Sequence, residues 1–266
     1  MELHSPGSIF LQLGPLTIRW YGVMIALGFI CASIAVSVRA RQWGIDGEKV
    51  INCALITFMS GIVGARLYFV ALSWDYFSKH LAEIFATWNG GLSIHGGIMF
   101  GTIAGFMYGR RVRLPLLKTA DLFGAVTPLA QAIGRWGNFF NSELYGSPVS
   151  SDFPIRLFIP AESRLSGYQE VSYFQPAFLY ESLWNLALFL LLYFALLDRL
   201  RKYPGLTFSL YILGYSLGRA LIEPMRLDSI RMGGVQVAYI VSLVLLILSI
   251  VACLYFIVRA RSIQAR

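Results

Sequence analysis

The sequence predicts an all-α polytopic membrane protein with seven transmembrane helices. Three observations predict it. Of the 266 residues, 57% are hydrophobic and the mean hydropathy is +0.64. Only 14% are charged, against about 25% in soluble domains. Apolar runs of about 20 residues, enough to cross ~30 Å of hydrocarbon, recur along the whole chain. One transmembrane catalytic domain over residues 1–266 is the expected organisation.

The start, MELHSPGSIF, has no basic region ahead of an apolar one and carries Glu2, so it does not read as a cleavable signal peptide. Seven spans follow, at roughly 17–39, 50–73, 93–113, 121–141, 176–197, 205–224 and 235–258. Thirteen of the 22 Lys and Arg residues fall in the connections after spans one, three and five and behind span seven; only Lys79, Arg156, Arg164, Arg226 and Arg231 occupy the opposite connections. Basic connections face the cytoplasm. The N-terminus is therefore expected outside and the C-terminus inside. The net charge of +8 reads as orientation and not as a nucleic-acid surface.

Between spans two and three, WDYFSKHLAEIFATW sets Trp74, Phe77, Leu81, Ile84 or Phe85, and Trp88 at helical spacing. That predicts an amphipathic helix over 75–91 lying in the membrane interface. Span three carries Gly97, Gly101, Gly105 and Gly109, a smooth stripe on which a neighbouring helix can pack closely. The connection 142–175 is polar and interrupted by Pro148, Pro154 and Pro160. It is too long for a plain loop and is expected to form a small periplasmic cap. Cys31, Cys53 and Cys253 all lie in apolar runs and read as small core residues.

Since successive spans alternate in direction, the polar residues within them can be placed by depth. Tyr21, Arg66, Tyr68, His95, Arg135, Asn138, Asn141, Tyr180, Glu181, Tyr215, Arg219 and Glu223 all fall toward the outer leaflet. An arginine costs about 2.5–3.5 kcal/mol at the centre of an inserted helix. Arg66, Arg135 and Arg219 at one depth therefore suggest a shared polar chamber. Gln131, Arg135 and Asn138 share one helix face, as do Tyr215, Arg219, Glu223 and Arg226. Arginines at headgroup depth suit a lipid phosphate, which guanidinium holds through paired, charge-assisted hydrogen bonds. His95 is the one histidine of the set, and its ordinary pKa suits base work. Arg219 and Glu223 can also be a plain intrahelical ion pair, and His95 a satisfied structural residue. The scattered histidines and cysteines give no metal-ligand spacing, and no cofactor is expected. Ser93 and His95 are two apart on a helix and diverge, which disfavours a protease.

The stretch Gly134-Arg135-Trp136-Gly137-Asn138-Phe139-Phe140-Asn141-Ser142-Glu143-Leu144-Tyr145-Gly146 resembles the signature of the prolipoprotein diacylglyceryl transferase family. It meets the pattern Gly-Arg-x-Gly-Asn-Phe-x-Asn-x-Glu-x-x-Gly throughout. Trp20-Tyr21-Gly22, Ser93-Ile94-His95-Gly96-Gly97, and Gly218-Arg219 with Glu223 agree with it, so the resemblance covers essentially the whole chain. One departure stands out: Gln175-Pro176 precedes Leu179-Tyr180-Glu181 where the family usually has His-Pro. The resemblance implies a multi-pass enzyme of the bacterial inner membrane, active toward the periplasm. Such an enzyme joins the diacylglyceryl group of phosphatidylglycerol to a lipobox cysteine of a preprolipoprotein and releases glycerol-1-phosphate. It implies Arg135 and Arg219 as catalytic, with His95 at or near the site; from its chemistry His95 is the candidate base for the thiol proton. Tyr21, Arg66, Asn138, Asn141, Glu143, Gly146 and Glu223 are the expected substrate-binding residues. Expected partners are phosphatidylglycerol, the lipobox peptide and membrane lipids. A phospholipid transporter or flippase with an outer-leaflet phosphate site is the alternative.

Overall fold

The fold is taken from a computed structural model that describes residues 1–14, 16–87 and 90–264. It is mostly helical. Each of the seven expected apolar stretches forms a long helix: α1 (Trp20–Gln42), α2 (Gly47–Leu72), α4 (Ile94–Arg111), α5 (Leu116–Phe140), α6 (Ala177–Leu190), α7 (Leu206–Ile222) and α8 (Val237–Gln264). Helix α6 runs on through a π-helical segment, Leu191–Leu196. Among the described residues four helical stretches, Trp20–Gln42, Gly47–Leu72, Ala177–Leu196 and Val237–Ser262, are long and apolar enough to cross a membrane. The chain forms two compact units, Met1–Ala35 with Ala120–Arg266, and Val36–Thr119.

In the smaller unit, α2 and α4 pack through glycines. A Cβ on Gly101 would lie 2.8 Å from the Thr57 carbonyl oxygen, and one on Gly64 would lie 2.8 Å from the Gly96 carbonyl oxygen. Gly96, Gly101, Gly105 and Gly109 are the buried residues of α4. The glycine stripe thus lets two backbones approach almost to contact, as small residues do between membrane helices. Asp46 caps α2, accepting from the Glu48 and Lys49 amides at 3.0 and 3.2 Å. These amides hold its exposed carboxyl below the ordinary range.

The stretch expected to form one interfacial helix over 75–91 is broken. Residues Trp74–Phe77 make a single turn, α3, and Leu81–Phe85 a 3-10 turn; Trp88 lies outside the described residues. The physical cause is Arg66, whose guanidinium takes the carbonyls of Glu83, Ile84, Ala86, Gly90 and Gly91. A continuous helix would turn those carbonyls into its own ladder. Phe77 is buried, whereas Trp74, Tyr76, Leu81 and Phe85 remain exposed.

In the larger unit the first expected span begins late. Residues 16–19 form strand β3 (Leu16–Arg19), paired antiparallel with β2 (Ile9–Leu13). The Trp20 amide donates to the Ser8 carbonyl at 2.9 Å, so the hairpin rather than an extra turn satisfies the start of α1. Helix α5 carries Pro128 in its interior, a position that removes one ladder hydrogen bond. It packs on α1 where a Cβ on Gly28 would lie 2.9 Å from the Ala130 carbonyl oxygen. The Ser182 hydroxyl of α6 donates to the Ala132 carbonyl of α5 at 2.8 Å. The buried Asp121 carboxylate of α5 accepts from the Gly205 and Phe208 amides at 2.7 and 2.9 Å, satisfying the start of α7. The Trp184 indole of α6 donates to the Gly214 carbonyl of α7 at 2.9 Å and lies over Gly218, where a Cβ would collide with its ring.

The 142–175 connection is a small layer with its own core. Strand β1 (Glu2–Leu3) runs parallel to β4 (Arg156–Phe158), which pairs antiparallel with β5 (Tyr173–Phe174). Beneath it Phe139, Tyr145, Leu157, Ile159, Phe174 and Phe178 form one buried cluster. The Tyr145 hydroxyl accepts from the Leu165 amide at 2.7 Å and donates to the Ser163 carbonyl at 3.2 Å. A second short hairpin, β6 (Arg231–Met232) and β7 (Val235–Gln236), leads into α8.

The glycine contact gives a test. Gly101→Ala drives a Cβ into the Thr57 backbone and is expected to cost about 1–3 kcal/mol, as overpacking does. Gly22 has open space around it, so Gly22→Ala is expected to leave stability unchanged or raised by up to about 1 kcal/mol. Thermal unfolding of both variants in detergent measures the difference.

Candidate active site

The GRWGNFFNSELYG stretch ends α5 and turns back on it. Arg135 and Asn138 share a face one turn apart. Beyond Phe140 the chain enters a tight turn in which Ser142 has φ 53° and Leu144 φ 56°. Left-handed backbone costs a residue other than glycine roughly 1–2 kcal/mol. The turn is closed by the Glu143 amide donating to the Asn138 carbonyl at 3.1 Å. This puts the Glu143 carboxylate back over α5, where it accepts from the Asn138 and Asn141 side-chain amides at 2.8 and 3.4 Å. Two strained residues thus flank the one carboxylate that the turn redirects.

Gly146 closes the stretch. Its amide donates to the Gln175 carbonyl at 2.9 Å, and it forms an isolated antiparallel bridge with Arg226. A Cβ there would lie 2.9 Å from the Gln175 Cβ. The next residue, Ser147, donates to the Met225 carbonyl at 3.0 Å. The motif is thereby fastened to the segment carrying Arg226, and Gln175, the departure from the family pattern, serves it through backbone atoms.

Glu181, in the first turns of α6, is the meeting point. Its Oε2 lies 2.7 Å from Arg135 Nη2, and its Oε1 lies 2.9 Å from Arg219 Nη1 and 3.3 Å from Arg226 Nη1. Arg219 Nη2 also reaches Glu223 Oε2, one turn on, at 2.6 Å. The Glu223 Oε1 accepts from the Ser229 hydroxyl at 2.6 Å. Arg226 pairs through Nε and Nη2 with Asp228 at 3.0–3.2 Å. The Gln236 amide bonds the carbonyls of Glu223 and Arg226, fixing the turn between them. Glu181, Glu223 and Arg226 are 5%, 1% and 6% exposed, so this network of alternating charge has a buried centre, with Arg135, Arg219 and Asp228 half-buried at its edges. Among the described residues Arg135 has one further partner, the Asn138 Oδ1 at 3.3 Å.

The larger unit therefore joins Arg135, Asn138, Asn141, Glu143, Gly146, Arg219 and Glu223 through hydrogen bonds, ion pairs and one backbone bridge. Tyr21 packs on this motif: a Cβ on Gly137 would lie 2.8 Å from its ring. Arg219 and Glu223 do form the intrahelical pair, and Arg219 reaches a second helix as well.

Arg66 and His95 belong to the smaller unit. Arg66, expected to face a lipid headgroup, is 7% exposed, and its Nε, Nη1 and Nη2 all donate to backbone carbonyls at 2.6–3.4 Å. The Phe77 ring lies 5.1 Å from its guanidinium carbon. His95 is exposed in the first turn of α4, and its ring is tilted 6.4 Å from that of Tyr68.

Glu181 and Arg226 stand among the polar residues placed by depth and face, but sequence reasoning gives them no role. Asp228, Ser229 and Gln236 are missed altogether. The signal for Arg226 is its place on the Tyr215–Arg219–Glu223 stripe. Nothing in the sequence marks the other three: Asp228 and Ser229 act from the segment after Arg226, and Gln236 from strand β7. Chemically, three guanidinium groups aimed at one anionic position make a cradle for a carboxylate or a phosphate.

Comparison with known proteins gives a consistent family. A sequence model described as prolipoprotein diacylglyceryl transferase matches residues 8–255. A phosphatidylglycerol–prolipoprotein diacylglyceryl transferase of Synechococcus elongatus is 43% identical over 248 residues, 92% of this chain and 85% of the relative. Relatives of the same name from Fervidobacterium nodosum and Thermosynechococcus vestitus are each 42% identical, covering 88% and 90% of this chain and 80% and 88% of their own lengths.

Removing one member of a buried ion network strands its partner. Glu223→Gln keeps the shape of the side chain but leaves Arg219 to Glu181 alone. It is expected to lower unfolding free energy by about 3 kcal/mol, read as a fall in thermal midpoint against the parent protein.

Proposed function

Because the chain belongs to the prolipoprotein diacylglyceryl transferase family, we propose that it transfers the diacylglyceryl group of phosphatidylglycerol to the lipobox cysteine thiol of a preprolipoprotein. The products are a thioether-linked precursor and glycerol-1-phosphate. The observation that carries this reading to specific residues is the convergence of Arg135, Arg219 and Arg226 on the single carboxylate of Glu181.

In this reading all seven long helices cross the bacterial inner membrane, with the N-terminus and the site toward the periplasm. Supporting it are the helices at each expected stretch and the thirteen basic residues gathered in alternate connections. Membrane lipids surround the apolar helices, and both substrates reach the site from the bilayer.

The substrate sulfur attacks the glycerol carbon, the carbon–oxygen bond to phosphate breaks, and the bonding electrons leave with a phosphate monoester. Arg135 and Arg219 stabilise the charge growing on the departing oxygen, in surroundings that screen it poorly. Asn138 and Asn141, held by Glu143, offer amide groups to the headgroup glycerol, and Gly146 keeps the turn closed. Tyr21 borders the motif, and Glu223 orients Arg219. His95 is the base for the thiol proton. For Arg66 the role is narrower: its donors serve five carbonyls, so it fastens the segment after α2. A lipid transporter is the weaker reading, since carrier sites lie near the bilayer midplane.

The test combines purified protein, phosphatidylglycerol in detergent micelles and a lipobox peptide. The expected result is a gain in peptide mass with release of glycerol phosphate; lipid movement in vesicles without either product means a transporter. Arg135→Lys keeps the charge but loses the planar fork and is expected to slow transfer by about 10²–10³. His95→Asn, if it acts through the thiol proton, is expected to lower kcat with little change in the KM for lipid; a parental rate in that variant removes the base assignment.

A further inference from the structure

We propose that Glu181 is a positioning residue whose carboxylate stands in, in the lipid-free enzyme, for the substrate phosphate, and that phosphatidylglycerol binds by exchange with it. This rests on the reading of the site as one for a phosphatidylglycerol headgroup.

The geometry is that of an anion held by a fork. The two oxygens of Glu181 are divided between helices, Oε2 on Arg135 of α5 and Oε1 on Arg219 of α7. A phosphodiester presents two unesterified oxygens in the same bridging fashion, and guanidinium binds carboxylate and phosphate through the same paired bonds. Oε1 also accepts from Arg226 Nη1 at 3.3 Å, and among the described residues no further donor reaches either oxygen. The Asn185 side chain bonds the Glu181 backbone carbonyl and leaves the carboxylate alone.

What each arginine keeps when Glu181 leaves decides where a phosphate would go. Arg226 keeps three contacts to Asp228. Arg219 keeps Glu223 at 2.6 Å. Arg135 keeps only a neutral amide oxygen at 3.3 Å. Exchange therefore frees Arg135 of its charged partner and frees one edge of Arg219, which are the two groups assigned to the leaving phosphate.

Charge requires the exchange. Three guanidinium groups pair with Glu181, Glu223 and Asp228, so these ion pairs balance among themselves, and Glu143, held beside them by Asn138 and Asn141, adds no cation. A fourth anion added to a buried, balanced set has no cation of its own, and uncompensated buried charge is costly. Phosphate and the Glu181 carboxylate thus compete for one place. The carboxylate keeps two arginines from separate helices spaced for an anion and prevents their repulsion while the lipid is absent.

The experiment compares the parent protein with Glu181→Gln in dodecyl maltoside micelles, using glycerol-1-phosphate and phosphatidylglycerol as ligands and diacylglycerol as the phosphate-free control. If Glu181 is a stand-in, both phosphate ligands raise the thermal midpoint of E181Q more than that of the parent, and diacylglycerol does not. In the transfer assay the KM for phosphatidylglycerol falls about fivefold or more, the lower end of coupling between competing ligands, while kcat also falls. Equal midpoint shifts in the two proteins, or an unchanged or higher KM, overturns the proposal. A larger shift for E181Q in a protein that transfers nothing upholds the exchange and removes the transferase reading instead. Should E181Q fail to fold, Glu181→Asp carries the test: its carboxylate is too short to span both guanidinium groups. It is expected to show the same differences in weaker form, and behaviour identical to the parent overturns the proposal.

Discussion

The site depends on one carboxylate between guanidinium groups. Arg135 and Arg219 come from different helices and would repel each other across a poorly screening interior. Glu181, on a third helix, draws both to within 2.9 Å of its oxygens. Placing these charges inside an apolar chain is unfavourable unless each is paired and hydrogen-bonded, and the network meets that condition. Ser229 takes up the far oxygen of Glu223, Asp228 takes up Arg226, and Gln236 holds the carbonyls of the turn that presents them. Helix packing serves the same end. Where Trp184 lies over Gly218 and Ser182 bonds Ala132, the helices bearing Glu181, Arg219 and Arg135 are drawn together next to the residues that must meet.

The turn after α5 shows the same priority of site over local comfort. A glycine at 142 or 144 would adopt the observed backbone without a steric cost, yet Ser142 and Leu144 occupy those positions. Strain of this kind persists where the surroundings over-determine it. Here the surroundings are the buried cluster of Phe139, Tyr145, Phe174 and Phe178 on one side and the two asparagine amides on Glu143 on the other. The small sheet over 142–175 is therefore more than a cover. Its core pulls Tyr145 inward, and that pull sets the path on which Glu143 returns to Asn138.

Much of this was legible in the sequence, for identifiable reasons. Apolar runs of helical length located all seven long helices, because backbone groups in an apolar medium have few alternatives to the helix. The 3.6-residue period placed Arg135 with Asn138 and Arg219 with Glu223, and both pairs bond as that period requires. Periodicity failed where side chains compete for the backbone. Nothing in WDYFSKHLAEIFATW signals that Arg66, from a preceding helix, will take its carbonyls, so the amphipathic pattern suggested a helix that is not there. The β2–β3 hairpin was absorbed into the first span because an apolar strand and an apolar helix end read alike. The same limit concealed the role of Glu181. A single acid at a helix start looks like a favourable dipole partner, and only the meeting of α5, α6 and α7 with the segment at Arg226 gives it three arginines.

The arginines within the helices divide into two kinds by what neutralises them. Arg66 is neutralised by carbonyl dipoles of one short segment, at 2.6–3.4 Å, with the Phe77 ring beside it. Those acceptors are backbone atoms that no incoming anion can replace without unfolding the segment. Arg135 is neutralised by a side-chain carboxylate and one amide oxygen. Both are side-chain groups, and the carboxylate is of the charge and bonding pattern that a phosphate shares. An arginine that must receive a ligand needs a partner strong enough to hold it in the apolar interior and soluble enough, in the chemical sense, to be exchanged. Carbonyl dipoles provide the first property alone; a glutamate side chain provides both. The distinction lies in the acceptor, and under the proposed function it is Arg135 and Arg219, rather than Arg66, whose charge would be available to a substrate.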